Sequence, residues 1–170
     1  MNIAIVGATG NVGRKILEVL EKKELSISNL YLVASSKSVG KKIFFKGKEH
    51  EVTNLESFDF SKVKIAFFSA GGKISEKFIE KAAKDCLVID NSSYYRMDPD
   101  VPLIVPQVNS EALNNIKKNI IANPNCSTAQ LVIALKPLHD LFTIKRVVVS
   151  TYQSVSGGGK APMDELIDQT

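Results

Sequence analysis

Ile3-Ala4-Ile5-Val6-Gly7-Ala8-Thr9-Gly10-Asn11-Val12-Gly13 is the stretch that decides the fold. Four consecutive apolar residues form the kind of strand that is covered on both faces in a parallel sheet. A glycine-rich turn follows at once. Apolar residues Ile16, Leu17, Val19 and Leu20 then recur at helical spacing between Arg14 and Lys23. Strand, glycine turn and helix in that order turn a glycine pattern into a prediction of dinucleotide binding. Gly7 and Gly10 let the backbone turn tightly and approach a pyrophosphate. Gly13 lets the helix pack close to the strand, and the helix N-terminus faces the phosphates. The spacing is G-x-x-G-x-x-G rather than G-x-G-x-x-G, a variant that a Gly-rich turn in an ordinary α/β domain would share.

Further buried strands follow in the pattern of a doubly wound sheet. Leu30 to Ala34 is the second, and it ends in Ser35-Ser36-Lys37-Ser38. An NAD enzyme usually places a carboxylate there for the ribose 2′-hydroxyl. Hydroxyls and a cation suit a 2′-phosphate instead, which favours NADP, although a plain polar loop would read the same way. Lys42–Phe45 and His50–Thr53 flank Lys46-Gly47-Lys48-Glu49 as a hairpin on the domain edge. Lys64–Phe68 and Leu87–Asp90 are further strands, separated by an amphipathic helix over Lys73–Lys84. Cys86, at the entrance of an apolar run, reads as structural. Arg96 follows a strand end, where its planar fork suits phosphate or carboxylate.

Ile120-Ile121-Ala122-Asn123-Pro124-Asn125-Cys126-Ser127-Thr128 carries the chemistry. A short strand stops, the chain turns, and a helix starts beside Cys126. Pro124 disfavours helix at Asn123, and Asn125 is a good N-cap. A thiol in the first turn of a helix meets unpaired N–H groups and the positive end of the dipole, surroundings that favour a nucleophilic thiolate. The same N–H groups suit an oxyanion. A small thiol buried in a core is the alternative. The helix is expected to end near Leu135, because Pro137 disfavours helix at Lys136. Ile144–Gln153, long and β-branched, is expected to be a strand that opens a second domain. Ser154–Lys160 is a glycine-rich loop, and Pro162–Thr170 begins a helix.

The 170 residues carry a net charge of +4, with lysines spread along the chain rather than clustered on one face. That distribution argues against a nucleic-acid footprint and suits anionic small ligands. No run approaches a membrane span, and no signal peptide is visible. With only two cysteines, a reducing cytoplasm and free thiols are expected. Two cysteines are also too few for a cysteine-only zinc site, and no metal is expected.

Six segments together resemble aspartate-semialdehyde dehydrogenase of the bacterial type. They are Gly7–Gly13, Phe68–Gly72, Asp90–Arg96, Val105–Asn109, Asn123–Thr128 and Ser150–Gly157, in the family's order across the whole chain. The resemblance implies an α/β Rossmann-type, mostly parallel sheet with helices on both faces over residues 1–126. Residues 127–170 would begin a truncated α+β catalytic and dimerisation domain. It implies NADP-dependent conversion of L-aspartyl 4-phosphate to L-aspartate 4-semialdehyde through a thioester on Cys126, toward lysine, methionine, threonine and diaminopimelate. Gln153 would orient substrate, Arg96 would bind phosphate, and N–H groups near Asn125 and Cys126 would hold the oxyanion. Gly7, Thr9, Gly10, Asn11, Val12 and Gly13 would serve the pyrophosphate. Lys37 and Ser38 would take the 2′-phosphate, and Ser156 and Gly157 the nicotinamide end. The family often has Arg at position 37, so a bidentate grip becomes a point charge.

The family's general acid/base histidine, its carboxylate-binding arginine and a phosphate-binding lysine come later than residue 170. His50 and His139 match no catalytic position. The chain is therefore expected to be an N-terminal half without useful turnover of its own, and a dimer when complete. The alternatives are an N-acyl-glutamyl-phosphate reductase-like enzyme, whose cysteine has different neighbours, and a non-catalytic nucleotide-binding paralogue.

Overall fold

A computed structural model describes residues 1–170. Strand β1 (Asn2–Val6) lies at its centre, with Ile3, Ala4, Ile5 and Val6 at most 1% exposed. It pairs in parallel with β2 (Asn29–Ala34) on one side and β5 (Ile65–Phe68) on the other. Beyond β5 come β6 (Leu87–Asp90) and β7 (Ile120–Ala122), also parallel. Beyond β2 comes β4 (Lys48–Asn54), parallel to β2. The antiparallel edge strand β3 (Lys42–Phe45) closes the order β3-β4-β2-β1-β5-β6-β7. The hairpin joining β3 to β4 turns through Lys46 and Gly47, both at positive φ (47° and 76°), the geometry whose twist matches paired strands. The second arm of the hairpin thus belongs to the main sheet, and only the first is an edge.

Alternation along β1 divides the core. Ile3 and Ile5 pack with Leu17 and Leu20 of helix α1 (Asn11–Lys22). Ala4 and Val6 face the opposite side, toward Phe78, Ile79 and Ala82 of helix α2 (Gly72–Ala82). Helices therefore cover both faces, as expected for a Rossmann-type sheet. On the α2 side the rings of Phe58, Phe60 and Phe68 pack in series, with centroids 5.1 and 5.8 Å apart. No helix is long and apolar enough to cross a membrane.

After β6 the chain passes through the one-turn helix α3 (Pro106–Asn109) and a 3-10 turn over Ser110–Asn115 before β7. Asn109 precedes the 3-10 turn without capping it through its side chain. Its side chain turns back, accepting from Val105 N at 2.9 Å and donating to the Leu103 carbonyl at 2.9 Å.

Two expectations fail beyond β7. Helix α4 runs Cys126–Phe142, past Leu135 and through Pro137. A proline inside a helix removes one N–H and crowds the preceding turn, but it does not always terminate the helix. Here a Lys136–Asp140 ion pair spans the same turn, and the end comes only at Thr143, in a left-handed conformation. The strand expected over Ile144–Gln153 does not form either. These residues pair with no strand, and Val148 and Tyr152 are 80% and 100% exposed. A β-branched run needs a ladder partner, and this one pairs with neither edge strand of the sheet, β3 or β7. Helix α5 (Lys160–Gln169) ends the chain.

Gly13 tests the helix–strand approach. A Cβ placed there would sit 2.3 Å from the Gly7 carbonyl oxygen and 2.8 Å from Ala8 Cα, both backbone atoms that cannot step aside. Alanine normally favours a helix interior over glycine by about 1 kcal/mol. Gly13→Ala is nevertheless expected to destabilise the protein by about 1–3 kcal/mol, read as a lower urea midpoint in circular dichroism.

Candidate active site

The carboxyl ends of the parallel strands converge on one rim of the sheet. There β1 gives way to Gly7, whose φ of +86° admits only glycine comfortably. A Cβ at Gly7 would also meet the Ser69 carbonyl oxygen at 2.8 Å, so the turns after β1 and β5 touch backbone to backbone. Helix α1 starts at Asn11 with Gly10 as its cap, no side-chain cap and no acidic residue in its first turn. Its positive end is left for a ligand's negative charge. Val6, Gly7, Thr9 and Gly10 line a cavity of 410 Å³, closed on the far side by Ser35, Ser36, Leu55, Glu56 and Phe78. Ser38 lies beside it, its Oγ 3.4 Å from Thr9 Oγ1, and Lys37 is exposed in the same 3-10 turn.

A second cleft, of 570 Å³, opens on the other side of Ser69, which lines both. It brings together Arg96, Asn125, Cys126, Gln153, Ser156 and Gly157 with Val12 from helix α1. These residues come from four separate parts of the chain. Cys126 is the first residue of α4, exposed to the cleft. Asn125 Oδ1 accepts from the Thr128 N–H at 2.9 Å, so the cap expected from the sequence is made. The N–H groups of Cys126 and Ser127 keep no intrahelical acceptor. The Cys126 thiol lies 4.0 Å from Gln153 Oε1. Gly157 makes room for that glutamine, since a Cβ there would come within 2.0 Å of Gln153 Nε2.

Arg96 is half-buried and lines the same cleft as the thiol. Its Nε donates to the Asn123 carbonyl at 2.9 Å and its Nη2 to the Asn91 carbonyl at 3.4 Å. The neighbouring Tyr95, 3% exposed in the core, anchors the turn that presents it. At the foot of that turn Asp90 is fully buried with no cation beside it. Ser75 Oγ, Ser92 N and Ser92 Oγ donate to its carboxylate at 2.8–2.9 Å. Ser92 Oγ in turn accepts from Tyr94 N at 3.1 Å.

The sequence reading missed Ser69, Asn91 and Asn123 as cleft residues, and Leu55, Glu56 and Phe78 as cavity walls. Ser69, Asn91 and Asn123 fall inside segments that carry the resemblance, Phe68–Gly72, Asp90–Arg96 and Asn123–Thr128, but with no role attached to them, and the three wall residues gave no signal of a cavity. Neither histidine reaches the cleft: His50 is on β4 and His139 on α4, and neither lines it. No group of three His, Cys, Asp or Glu side chains comes together as a metal site.

Residues 2–116 match the family profile described as Semialdehyde dehydrogenase, NAD binding domain. The chain belongs to the semialdehyde dehydrogenase family. Residues 135–170 match the profile of the semialdehyde dehydrogenase dimerisation domain. Aspartate-semialdehyde dehydrogenase of Rickettsia bellii is 53% identical over 171 aligned positions, covering 99% of this chain and 51% of the relative. The crystal structure of aspartate semialdehyde dehydrogenase II from Vibrio cholerae, complexed with ASA, superposes with a TM-score of 0.96 at 53% identity. That superposition covers 99% of this chain and 51% of the Vibrio chain. The aspartate semialdehyde dehydrogenase of Candida albicans, solved with NADP, gives a TM-score of 0.65 at 29% identity, over 84% of this chain and 48% of that one. The chain spans about half the length of the curated relatives it matches.

The two thiols of this chain differ in kind. Cys86 is 5% exposed, donates to the Ala82 carbonyl at 3.3 Å, and is pushed up to about 11 by burial. It should remain a neutral, inaccessible thiol at about pH 8. Iodoacetamide under native conditions is expected to modify Cys126 alone. Peptide mapping by mass spectrometry checks this, with Cys86 reacting only after denaturation.

Proposed function

We propose that these residues serve the NADP-dependent reductive dephosphorylation of L-aspartyl 4-phosphate to L-aspartate 4-semialdehyde. The observation that carries the reading is Cys126 at the N-terminus of α4, in one cleft with Gln153 and Arg96. The Cys126 sulfur attacks the acyl carbon, and the bond to phosphate breaks, leaving a thioester and inorganic phosphate. The free N–H groups at the start of α4 face the oxygen that gains charge in this step. Gln153, beside the sulfur, orients the substrate, and Arg96 receives the phosphate. Hydride delivered to the thioester carbon would break the C–S bond, free the aldehyde and return Cys126 as the thiolate.

A nicotinamide dinucleotide fits the residues present. The uncapped start of α1 and the turn Gly7–Gly13 suit its pyrophosphate. When bound, it supplies the hydride. Ser156 and Gly157, which line the cleft with Cys126, would meet its nicotinamide end, and Ser38 and Lys37 its 2′-phosphate. Residues 1–126 form the NADP-binding part of this reading. Residues 127–170 open the catalytic and dimerisation part of a homodimer that works in the cytoplasm.

No side chain within these 170 residues stands ready as the base for Cys126. The isolated chain is therefore expected to bind NADP⁺ yet show no phosphate-dependent formation of NADPH from aspartate semialdehyde. Absorbance of the reduced nicotinamide, monitored with and without phosphate, checks turnover; measurable turnover by the chain would refute this part. Titration calorimetry checks binding. Lys37→Glu should weaken NADP⁺ on the order of tenfold, worth about 1.4 kcal/mol, and leave NAD⁺ nearly unchanged. Equal loss for both cofactors would remove Lys37 from the 2′-phosphate site.

A further inference from the structure

Strands β6 and β7 are parallel neighbours in which Asp90 pairs with Ala122. The next residue on each is an asparagine. The Asn123 backbone N–H extends the ladder to the Asp90 carbonyl at 2.8 Å, and the Asn91 N–H donates to the Phe68 carbonyl of β5 at 2.9 Å. The two side chains meet above this frame, where Asn123 Nδ2 donates to Asn91 Oδ1 at 2.5 Å. Arg96 lies across the joint, with Nε on the Asn123 carbonyl and Nη2 on the Asn91 carbonyl. Of the five donors on a guanidinium fork, two are thereby used and three are left for a ligand. Two residues beyond Asn123, Asn125 caps the helix that begins with Cys126.

We propose that Asn91 and Asn123 form a positioning clasp that sets the anion-binding fork of Arg96 and the loop of Cys126 as one unit. The proposal rests on the reading of Arg96 as the phosphate site and Cys126 as the nucleophile, and adds the residues that hold the two in register. Neither asparagine is catalytic. Both line the same cleft as the thiol and lie outside the two apolar core clusters. Their pairing therefore acts on the site more than on the fold. Without it, the residues whose carbonyls hold Arg96 are joined only through the ladder bond from the Asn123 N–H to the Asp90 carbonyl. An anion on Arg96 is then held less closely in register with the sulfur.

The test needs no turnover. The rate of Cys126 alkylation by iodoacetamide is measured against inorganic phosphate for the native chain, Asn91→Leu, Asn123→Leu and the double variant. NADP⁺ affinity and thermal melting are followed as controls on folding. Phosphate is expected to protect native Cys126. Each single variant should raise the half-protecting phosphate concentration about fivefold to tenfold, the value of one side-chain hydrogen bond. The double variant should do no worse than either single one, with NADP⁺ affinity unchanged. Asn91→Ala and Asn123→Ala carry the same comparison where a leucine variant does not fold. Single variants within about twofold of native, or losses that multiply in the double variant, overturn the clasp while leaving Arg96 as the anion site. Absence of phosphate protection in the native chain overturns the anion site itself, and the clasp with it.

Discussion

Strand β1 tolerates nothing around it but other strands and apolar side chains. It is paired on both edges and covered on both faces, and its last four residues are essentially inaccessible. The chain can leave this enclosure only at the rim, and only through a residue that turns sharply against the β5 loop. Gly7 makes that exit at positive φ, within touching distance of the Ser69 backbone. Gly13 then allows α1 to settle directly on the turn. The open, positively polarised start of α1 follows from these steric requirements, and so does the cavity beside it. A turn with an open helix start is what remains when a buried parallel strand is followed by a helix packed as closely as two backbones permit.

The rim also explains why one loop serves two cavities. Ser69 stands between the 410 Å³ cavity and the 570 Å³ cleft, and Val12 of α1 reaches into the latter. A ligand laid along the strand ends would pass from Gly7 and Thr9 toward Cys126 without leaving the surface of the sheet. Contrast between the two thiols follows from position alone. Cys86 enters a strand in the core, and Cys126 leaves the sheet at its rim.

The main architecture was readable because its strands are continuous apolar runs bounded by polar turns, and because Gly7–Gly13 has few other uses in that context. The cap at Asn125, and with it the position of Cys126, could also be read, since capping depends on neighbouring residues only. Pro137 misled because local preference was weighed without the Lys136–Asp140 pair or the apolar run that carries α4 onward. Ile144–Gln153 misled because strand propensity says nothing of whether a partner exists. Gln153 beside Cys126 could not be derived locally, and its expected role came from resemblance to a family. The meeting of Asn91 with Asn123 was invisible for a similar reason. It depends on the register of two strands separated by a long excursion through Arg96 and α3, which no sequence window contains.

The distribution of burial has a further effect. Every buried residue lies at or before Pro124; none follows it. Helix α4, 17 residues long with no buried residue, is close to the length at which helices barely persist alone in water. The described chain is thus energetically uneven. The buried strands through β7 are expected to exchange their amides with solvent only on global unfolding. The segment that begins with Cys126, with no residue buried, is expected to exchange by local opening at smaller cost. Cys126 sits where the buried sheet gives way to helix α4, joined to the sheet through the ladder bond from the Asn123 N–H to the Asp90 carbonyl.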